Sequence, residues 1–436
     1  MSRTNLYIED SGLSGAAGQH LSLVIPASGP AIPGVAPFVP STPNIGALNT
    51  TYVDFTYGDD TKAAANPGRS TIYPYRSFSN AWTYIVGLAN SDSSQKFCLR
   101  LRNPNPDNPL NVGSTPQLIP TNHNVSIRGD GADVTVFTST YDYLTFVPTS
   151  TSSFTLDIGD LTLKSIFIRG NPASSDSDGN GFPNGLFLNG NGTTHIRERI
   201  DVVASAGGAG SSVSTGSIAP DGRIGGSMKG VRIKGFVATV DATPEVHVLG
   251  GDGGIGGNAN VFPGGEYGDI PSYGTPGNGG TNGTVDNVLI EDMDCLPYNF
   301  GGGLNPVLGG WTLIIRPGVA GNGGQYIGGP NDNVVGGSSG SQSMPGYFSG
   351  NAGYATTALI ARSLVARLDS SLPSDNSSPG YMDVTLASCM IGYDPNASRA
   401  VVARNAAFVS GCIHPTTSMT IASTTNSGII TDALYC

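Results

Sequence analysis

Between Val125 and Asn171 the chain alternates short apolar runs with polar breaks. The runs are Val134-Thr135-Val136-Phe137, Leu144-Thr145-Phe146-Val147, Phe154-Thr155-Leu156-Asp157-Ile158, Leu161-Thr162-Leu163 and Ile166-Phe167-Ile168. Each is too short for a helix and rich in the β-branched and aromatic types that suit a pleated, half-buried surface. The breaks come too often for a meander of hairpins. A chain that bends so soon and so repeatedly suits a parallel β-solenoid, whose short strands stack coil on coil around a continuous core. The signature returns at Leu161–Gly170, Met228–Phe236, Val285–Asp294 and Met382–Ile391. Its irregular spacing predicts loops of varied length leaving the coil.

Residues 1–45 read differently. Prolines at 26, 30, 33, 37, 40 and 43 stand among Val, Ala, Ile and Phe, which predicts an extended, polyproline-like arm without a core of its own. The arm is either a floppy leader or a tether that docks on a neighbouring subunit. A strand is expected over Tyr52–Tyr57, then a turn at Gly58-Asp59-Asp60. Ser77 or Ser79 is placed to cap a helix from Phe78 to about Ala89, with Trp82, Ile85, Val86 and Ala89 on one face. Such a helix can close the open end of a solenoid, where exposed core and strand edges invite aggregation.

Most of the 63 glycines fall between residues 204 and 353. Three times a strand runs into a Gly-rich excursion: Val202-Val203 into Gly207-Gly208-Ala209-Gly210, Val246–Leu249 into Gly250–Asn258, and Leu313–Arg316 into Gly321–Gly324. Such segments cost backbone entropy and make little core. They either pack against the solenoid or form an adaptable display surface. Tyr267, Tyr273, Tyr326, Tyr347, Phe348 and Tyr354 either fasten them down or meet a partner or glycan. Strands return over Thr357–Leu364, Met382–Ile391, Val401–Cys412, Met419–Ala422 and Gly428–Leu434.

Composition fits an all-β surface of turns and small polar residues: charged residues make up 12% and hydrophobic ones 38% of 436. The net charge of −11, with no Lys/Arg cluster, offers a nucleic acid no landing site. No apolar run is long enough to span a membrane. The N-terminus lacks the pattern of a secretory signal, so use without classical secretion is expected. Cys98, Cys295, Cys389, Cys412 and Cys436 form no CxxC pair and read as buried free thiols.

Candidate chemistry is sparse. Gly251–Gly256 fits a dinucleotide fingerprint, but the sequence after it cannot open the helix that motif needs. Gly336-Gly337-Ser338-Ser339-Gly340 lacks a strand-to-helix elbow. Asp176-x-Asp178-Gly179-Asn180-Gly181 imitates half a calcium loop, with Phe187 where a bidentate Glu is required. Glu291, Asp292 and Asp294 stand on or after a coil strand. Asp292 and Asp294 would share one face of that strand and could act as acid and base in glycan cleavage. A lyase would want a nearby Arg or Lys base and a hydrolase a third carboxylate, and neither is visible as a cluster. His20, His123, His195, His247 and His414 are isolated and read as structural. No cofactor or metal site is expected.

One stretch carries a family likeness. Tyr52-Val53-Asp54, Gly58-Asp59-Asp60, Pro74-Tyr75-Arg76-Ser77 with its helix, and Ser126-Ile127-Arg128-Gly129-Asp130-Gly131 together resemble the opening of pectin-lyase-like right-handed parallel β-helix proteins. The likeness covers residues 50–170 well and later coils loosely. It implies an all-β, right-handed parallel β-helix with a short N-terminal capping helix and Gly-rich loop insertions. The expected division is an arm at 1–45, strand and capping helix at 46–94, and β-helix at 95–436 with Gly-rich loops at 204–353. Openings of this kind are frequent in phage tail proteins and large DNA viruses of protists, and also occur in extracellular polysaccharide enzymes. The expectation is a virion structural protein of capsid surface, tail or fibre. It would form a homo-oligomer and be held to other virion proteins by its arm, with host surface glycans a further partner. The alternatives are a tailspike-type lyase or hydrolase using Asp292 and Asp294, or a non-catalytic glycan-binding adhesin.

Overall fold

The computed structural model describes residues 20–24, 32–36, 50–67, 71–91, 97–102, 117–119, 124–137, 143–148, 154–182, 185–213, 217–239, 244–260, 277–296, 310–324, 326–327, 357–369, 383–391, 401–402, 405–409, 413–414 and 434–435. Strands dominate, helices are few, and the strands form one large parallel sheet, as the all-β reading expected.

The chain visits three ladders in turn, pass after pass. The first ladder joins Thr50–Asp54, Phe97–Arg102, Asn124–Arg128, Phe154–Gly159, the starts of Leu186–Val203 and Val231–Ala238, Val288–Glu291, Thr357–Ala361, Asp383–Ala387 and Asn405–Val409. The parallel sheet therefore already begins at Thr50. The second ladder is short-stranded and includes Leu161–Leu163, Thr194–Ile196, Phe236–Ala238 and Asp294–Cys295. The third joins Tyr143–Pro148, the ends of Leu161–Arg169 and Leu186–Val203, Glu245–Leu249, Trp311–Arg316 and Leu364–Asp369. The pairings close on themselves because single long strands serve two ladders; each ladder grows by stacking, unlike a barrel of side-by-side neighbours.

Register explains the core. In the first ladder Leu156, Leu188, Ile233, Ile290, Ile360 and Leu386 stand one above another. In the third, Leu144, Ile166, Ile200, Val246, Leu313 and Leu368 do the same. All are buried. Each contributes about 1.5–3 kcal/mol relative to exposure, and a slip by one residue would turn every one of them outward.

The opening motif packs against the first strands of the ladders. Asp59 Oδ1 accepts the Thr61 and Lys62 N–H groups and caps a short helix α1, Asp60–Ala65. Asp60 Oδ1 accepts the N–H groups of Arg76 and Ser77 at 2.9 and 3.1 Å, drawing the Pro74–Ser77 segment back to the turn. Ser77 Oγ in turn accepts the Asn80 N–H at the start of α2, Phe78–Ser91. Phe78, Ala81, Trp82 and Ile85 of α2 are buried, with the Trp82 ring 5.1 Å from that of Phe146. Val86 is half-buried against the same cluster, while the Ala89 side chain lies outside the described residues.

Within the expected Pro-rich arm, His20–Val24 and Ile32–Ala36 pair as an antiparallel hairpin. The rest of the expected arm lies outside the described residues. Val, Leu and Ile alternate well enough to pair, and Pro33 is tolerated because a two-stranded ribbon has only edge strands.

The glycine-rich stretches are also more ordered than loops. They leave the third ladder as outbound segments (203–213, 249–260, 316–324) and return toward the first as 218–229 and 277–286. Gly207, Gly210 and Val213 donate to the carbonyls of Asp252, Ile255 and Asn258. Gly250, Gly253 and Gly256 donate to those of Arg316, Val319 and Asn322. Return segments match: Gly222, Gly225 and Met228 donate to Asn278, Thr281 and Thr284. Between the layers Gly251, Gly254 and Gly257 donate to Gly226, Arg223 and Pro220, and Gly283, Gly280 and Gly277 donate to Gly251, Gly254 and Gly257. Every third N–H thus points the same way, the period of a polyproline II-type strand, which makes no hydrogen bonds within itself. The result is a two-layer tongue. Glycine is required by space: a Cβ on Gly254 would lie 2.0 Å from the Gly208 carbonyl oxygen, and one on Gly280 2.0 Å from that of Arg223.

Candidate functional site

From Phe154–Gly159 onward, successive passes leave the first ladder through a corner on a residue with left-handed backbone. These residues are Asp160 (φ 59°), Asn191 (55°), Gly235 (69°), Asp292 (54°), Arg362 (47°) and Ser388 (53°). Asn, Asp and Gly enter this region most readily. The column continues by backbone bonds, Asp292 N–H to the Ala361 carbonyl at 3.2 Å and Arg362 N–H to that of Ala387 at 3.0 Å.

An ion network sits on this corner. Glu291, the last residue of its strand, is only 6% exposed. It accepts from Arg232 Nε at 2.7 Å and, more closely still, from an Arg232 terminal nitrogen, and from Arg362 at 2.8 Å. Asp292 takes Arg362 on both oxygens, and the Lys234 ammonium stands 3.3 Å away. Burial pushes the Glu291 carboxyl up, but the hydrogen bonds from Arg232 and Arg362 outweigh it, so it titrates below its ordinary value. The Arg362 hydrogen bonds hold Asp292 below its own, and Arg362 is correspondingly raised. Neither carboxyl is placed to keep a proton for donation near neutral pH.

Asp292 and Asp294 do not share a strand face. The left-handed turn at Asp292 separates them, and Asp294 opens the second-ladder strand with its side chain exposed. Both nevertheless border one notch of about 480 Å³, with Asn189, Asn191, Gly192, Lys234, Gly235 and Val237. The notch has a register cause. The pass through Leu186–Val203 spends residues 190–193 on its corner, whereas the next pass spends Gly235 alone. One pass bulges, and the pass above it has no side chain at that point.

A second cluster lies on the outer face of the third ladder. Asp201 is 4% exposed, although its strand neighbours Phe167 and His247 are half-buried. Arg199 Nε stands 3.1 Å and His247 Nδ1 3.4 Å from its Oδ1, and Arg169 3.5 Å from its Oδ2. Oδ1 makes no well-aligned hydrogen bond. Burial pushes the Asp201 carboxyl up despite the cations around it. His247 Nε2 lies 2.8 Å from Glu245, and Arg169 and Arg199 both lie over the Phe167 ring. No local sequence pattern signals this group: His247 reads as isolated, because Arg169 and Asp201 lie on other strands, separated from it by long connections.

Other candidates resolve as structure. Asp176 Oδ1 accepts the Ser211 N–H, its Oδ2 binds the Ser211 hydroxyl, and Asp178 accepts the Ile224 N–H. The would-be calcium loop thus stitches neighbouring tongue segments. Gly251–Gly256 belongs to the tongue and runs on into the short strand Ala259–Asn260. Among the described residues no three His, Cys, Asp or Glu side chains group to hold a metal ion, and no helix is long and apolar enough to cross a membrane. His195 is half-buried, and burial lowers its pKa. Cys389 is buried, while Cys98 and Cys295 are half-buried thiols raised by burial. Gly336–Gly340, His123, Cys412, Cys436 and Tyr267, Tyr273, Tyr347, Phe348 and Tyr354 lie outside the described residues, and Tyr326 stands in a short strand paired with Ala259–Asn260. No family model, curated protein or solved structure matches the chain.

Proposed function

We propose that the chain is a structural, non-catalytic display protein of a virus particle, on capsid surface, tail or fibre, whose ladders wind as a right-handed parallel β-helix. The hand follows from chain chirality, since about 98% of parallel crossover connections are right-handed. The observation that carries the display role is the tongue. Successive passes devote their connections to one stacked two-layer projection held by backbone hydrogen bonds. It presents exposed Ile218, Ile224 and Ile255 to its surroundings. The ion-locked Glu291 and Asp292 favour a supporting over a catalytic role for that corner. The particle assignment rests on the likeness of residues 50–170 to viral β-helix openings, and the N-terminal arm is the natural attachment point for a homo-oligomer. Quantitative mass spectrometry of purified particles tests this. Stoichiometric incorporation that is lost on deleting residues 1–45 is expected, and particles lacking the protein would refute it.

A second reading has its own observation. Asp201, buried, raised in pKa and flanked by two arginines and a histidine, has the character of a group held for proton transfer on a polysaccharide. Under it, Asp201→Asn abolishes depolymerisation of a capsular or cell-wall polysaccharide that the parent cleaves, while Asp292→Asn does not.

A further inference from the structure

The notch at the Gly235 corner has the size and chemistry of a ligand site. Its volume of about 480 Å³ lies within the roughly 300–1,000 Å³ usual for small-molecule sites. Its lower wall is the bulged turn carrying Asn189 and Asn191, whose amides are fixed by bonds to Asp157, to the Ile158 carbonyl and to one another. Val237 gives an apolar patch, and Gly235 leaves the floor bare. The upper wall carries the Lys234 ammonium and the Asp294 carboxylate. Lys234 is shared with Glu291 and Asp292 at 3.9 and 3.3 Å. Asp294 uses Oδ1 on the Cys295 N–H and is otherwise exposed.

The balance of charge selects the ligand class. A cation would meet Lys234 beside the carboxylates, and an anion would meet Asp294. A sugar hydroxyl both donates and accepts, so adjacent hydroxyls can give a proton to Asp294 while accepting one from Lys234. We propose that this notch binds one neutral sugar unit of a glycan chain, with Asp294 and Lys234 taking adjacent hydroxyls and the prefixed Asn189–Asn191 turn forming the opposite wall. The notch would give a display protein a point of recognition, and it would serve equally in a protein outside any particle.

The test is calorimetric titration and saturation-transfer NMR of the full chain with neutral tetrasaccharides of glucose, galactose and N-acetylglucosamine, with tetragalacturonate and calcium chloride as comparison probes. Asp294→Ala removes an exposed acceptor. Gly235→Asn fills the floor, because Asn is at ease in left-handed backbone and its Cβ would meet Gly192 N at 3.1 Å, a contact the turn can relieve by a few tenths of an ångström. At least one neutral tetrasaccharide should bind, and each variant should weaken it by about tenfold or more, with an unchanged thermal midpoint. Binding of tetragalacturonate or calcium alone, binding of no probe, or equal binding by Asp294→Ala and the parent would overturn the proposal.

Discussion

The guanidinium of Arg362 lies against the carboxylate of Asp292, Nε 2.7 Å from one oxygen and a terminal nitrogen 3.1 Å from the other, and both residues turn the same corner in successive passes. The contact ties pass to pass where both residues hold a left-handed backbone that non-glycine residues adopt at a cost. Beneath it, Glu291 gathers Arg232 and Arg362 in a buried position.

Acid should therefore loosen this corner. Glu291 and Asp292 both titrate below their ordinary values when folded. A depressed folded pKa contributes stability that is complete above the unfolded value, near pH 4, and is lost as pH falls through the folded one. Glu291→Gln should lower stability at pH 7 by about 1–3 kcal/mol. Its urea midpoint should converge on the parent's as pH drops toward 3. A gap of constant size across that range would show that Glu291 is not held ionised by its partners.

Asp201 should behave in the opposite sense. Its folded pKa is raised, so the folded chain keeps a proton that the unfolded chain has released. The cost is absent below the ordinary carboxylate range and grows as pH rises through the folded value. Asp201→Asn should accordingly raise the thermal midpoint at pH 7 and leave it unchanged near pH 4. A lower midpoint at pH 7 would mean that Arg169 and Arg199 stabilise the ionised carboxylate more than burial opposes it.

Sequence made the sheet legible and the sites much less so. Phe154–Ile158 and Leu161–Ile168 read as strands because their β-branched residues alternate inward, and the structure stacks Leu156 and Ile166 as core. The helix at Phe78 was equally plain from its apolar face and a Ser77 or Ser79 cap, of which the structure uses Ser77. The tongue was visible in part: Gly-Gly-Asp-Gly-Gly-Ile-Gly-Gly-Asn at 250–258 repeats every third residue. That period is the signal for polyproline II-type packing, although the composition alone reads as loop. The corner column was opaque, because Gly235, Asp292, Arg362 and Ser388 share a backbone conformation and no side-chain chemistry. Asp201, His247 and Arg169 meet only through register across connections of unequal length, which no local pattern encodes.

The tongue supplies a contrast between two glycines. Gly254→Ala would place a Cβ 2.0 Å from the Gly208 carbonyl oxygen, and backbone on both sides leaves it nowhere to go. Overpacking of this kind costs about 1–3 kcal/mol or more, and it should open the tongue to limited proteolysis. In α2, a Cβ on Gly87 would meet nothing within 4 Å, so Gly87→Ala should stabilise by about 0.5–1 kcal/mol. Equal effects of the two substitutions on thermal midpoint would mean that the layered packing contributes nothing.

Trp82 fastens α2 to the end of the sheet. Trp82 is 2% exposed, its ring stacked on Phe78 at 5.8 Å and set against Phe146 at 5.1 Å. Removing it leaves a cavity between α2 and the ladders, which costs about 3–5 kcal/mol. The loss should also be visible as association. With α2 loosened, the apolar end of the ladders becomes available to other chains. Trp82→Ala should therefore scatter light and elute early from a sizing column at concentrations where the parent does not. Thr83→Ala alters the exposed face of the same helix and serves as the control, since the Thr83 hydroxyl bonds back to the Ser79 carbonyl of its own helix at 2.9 Å. If both variants stayed as dispersed as the parent, α2 would not be what shields the end of the sheet.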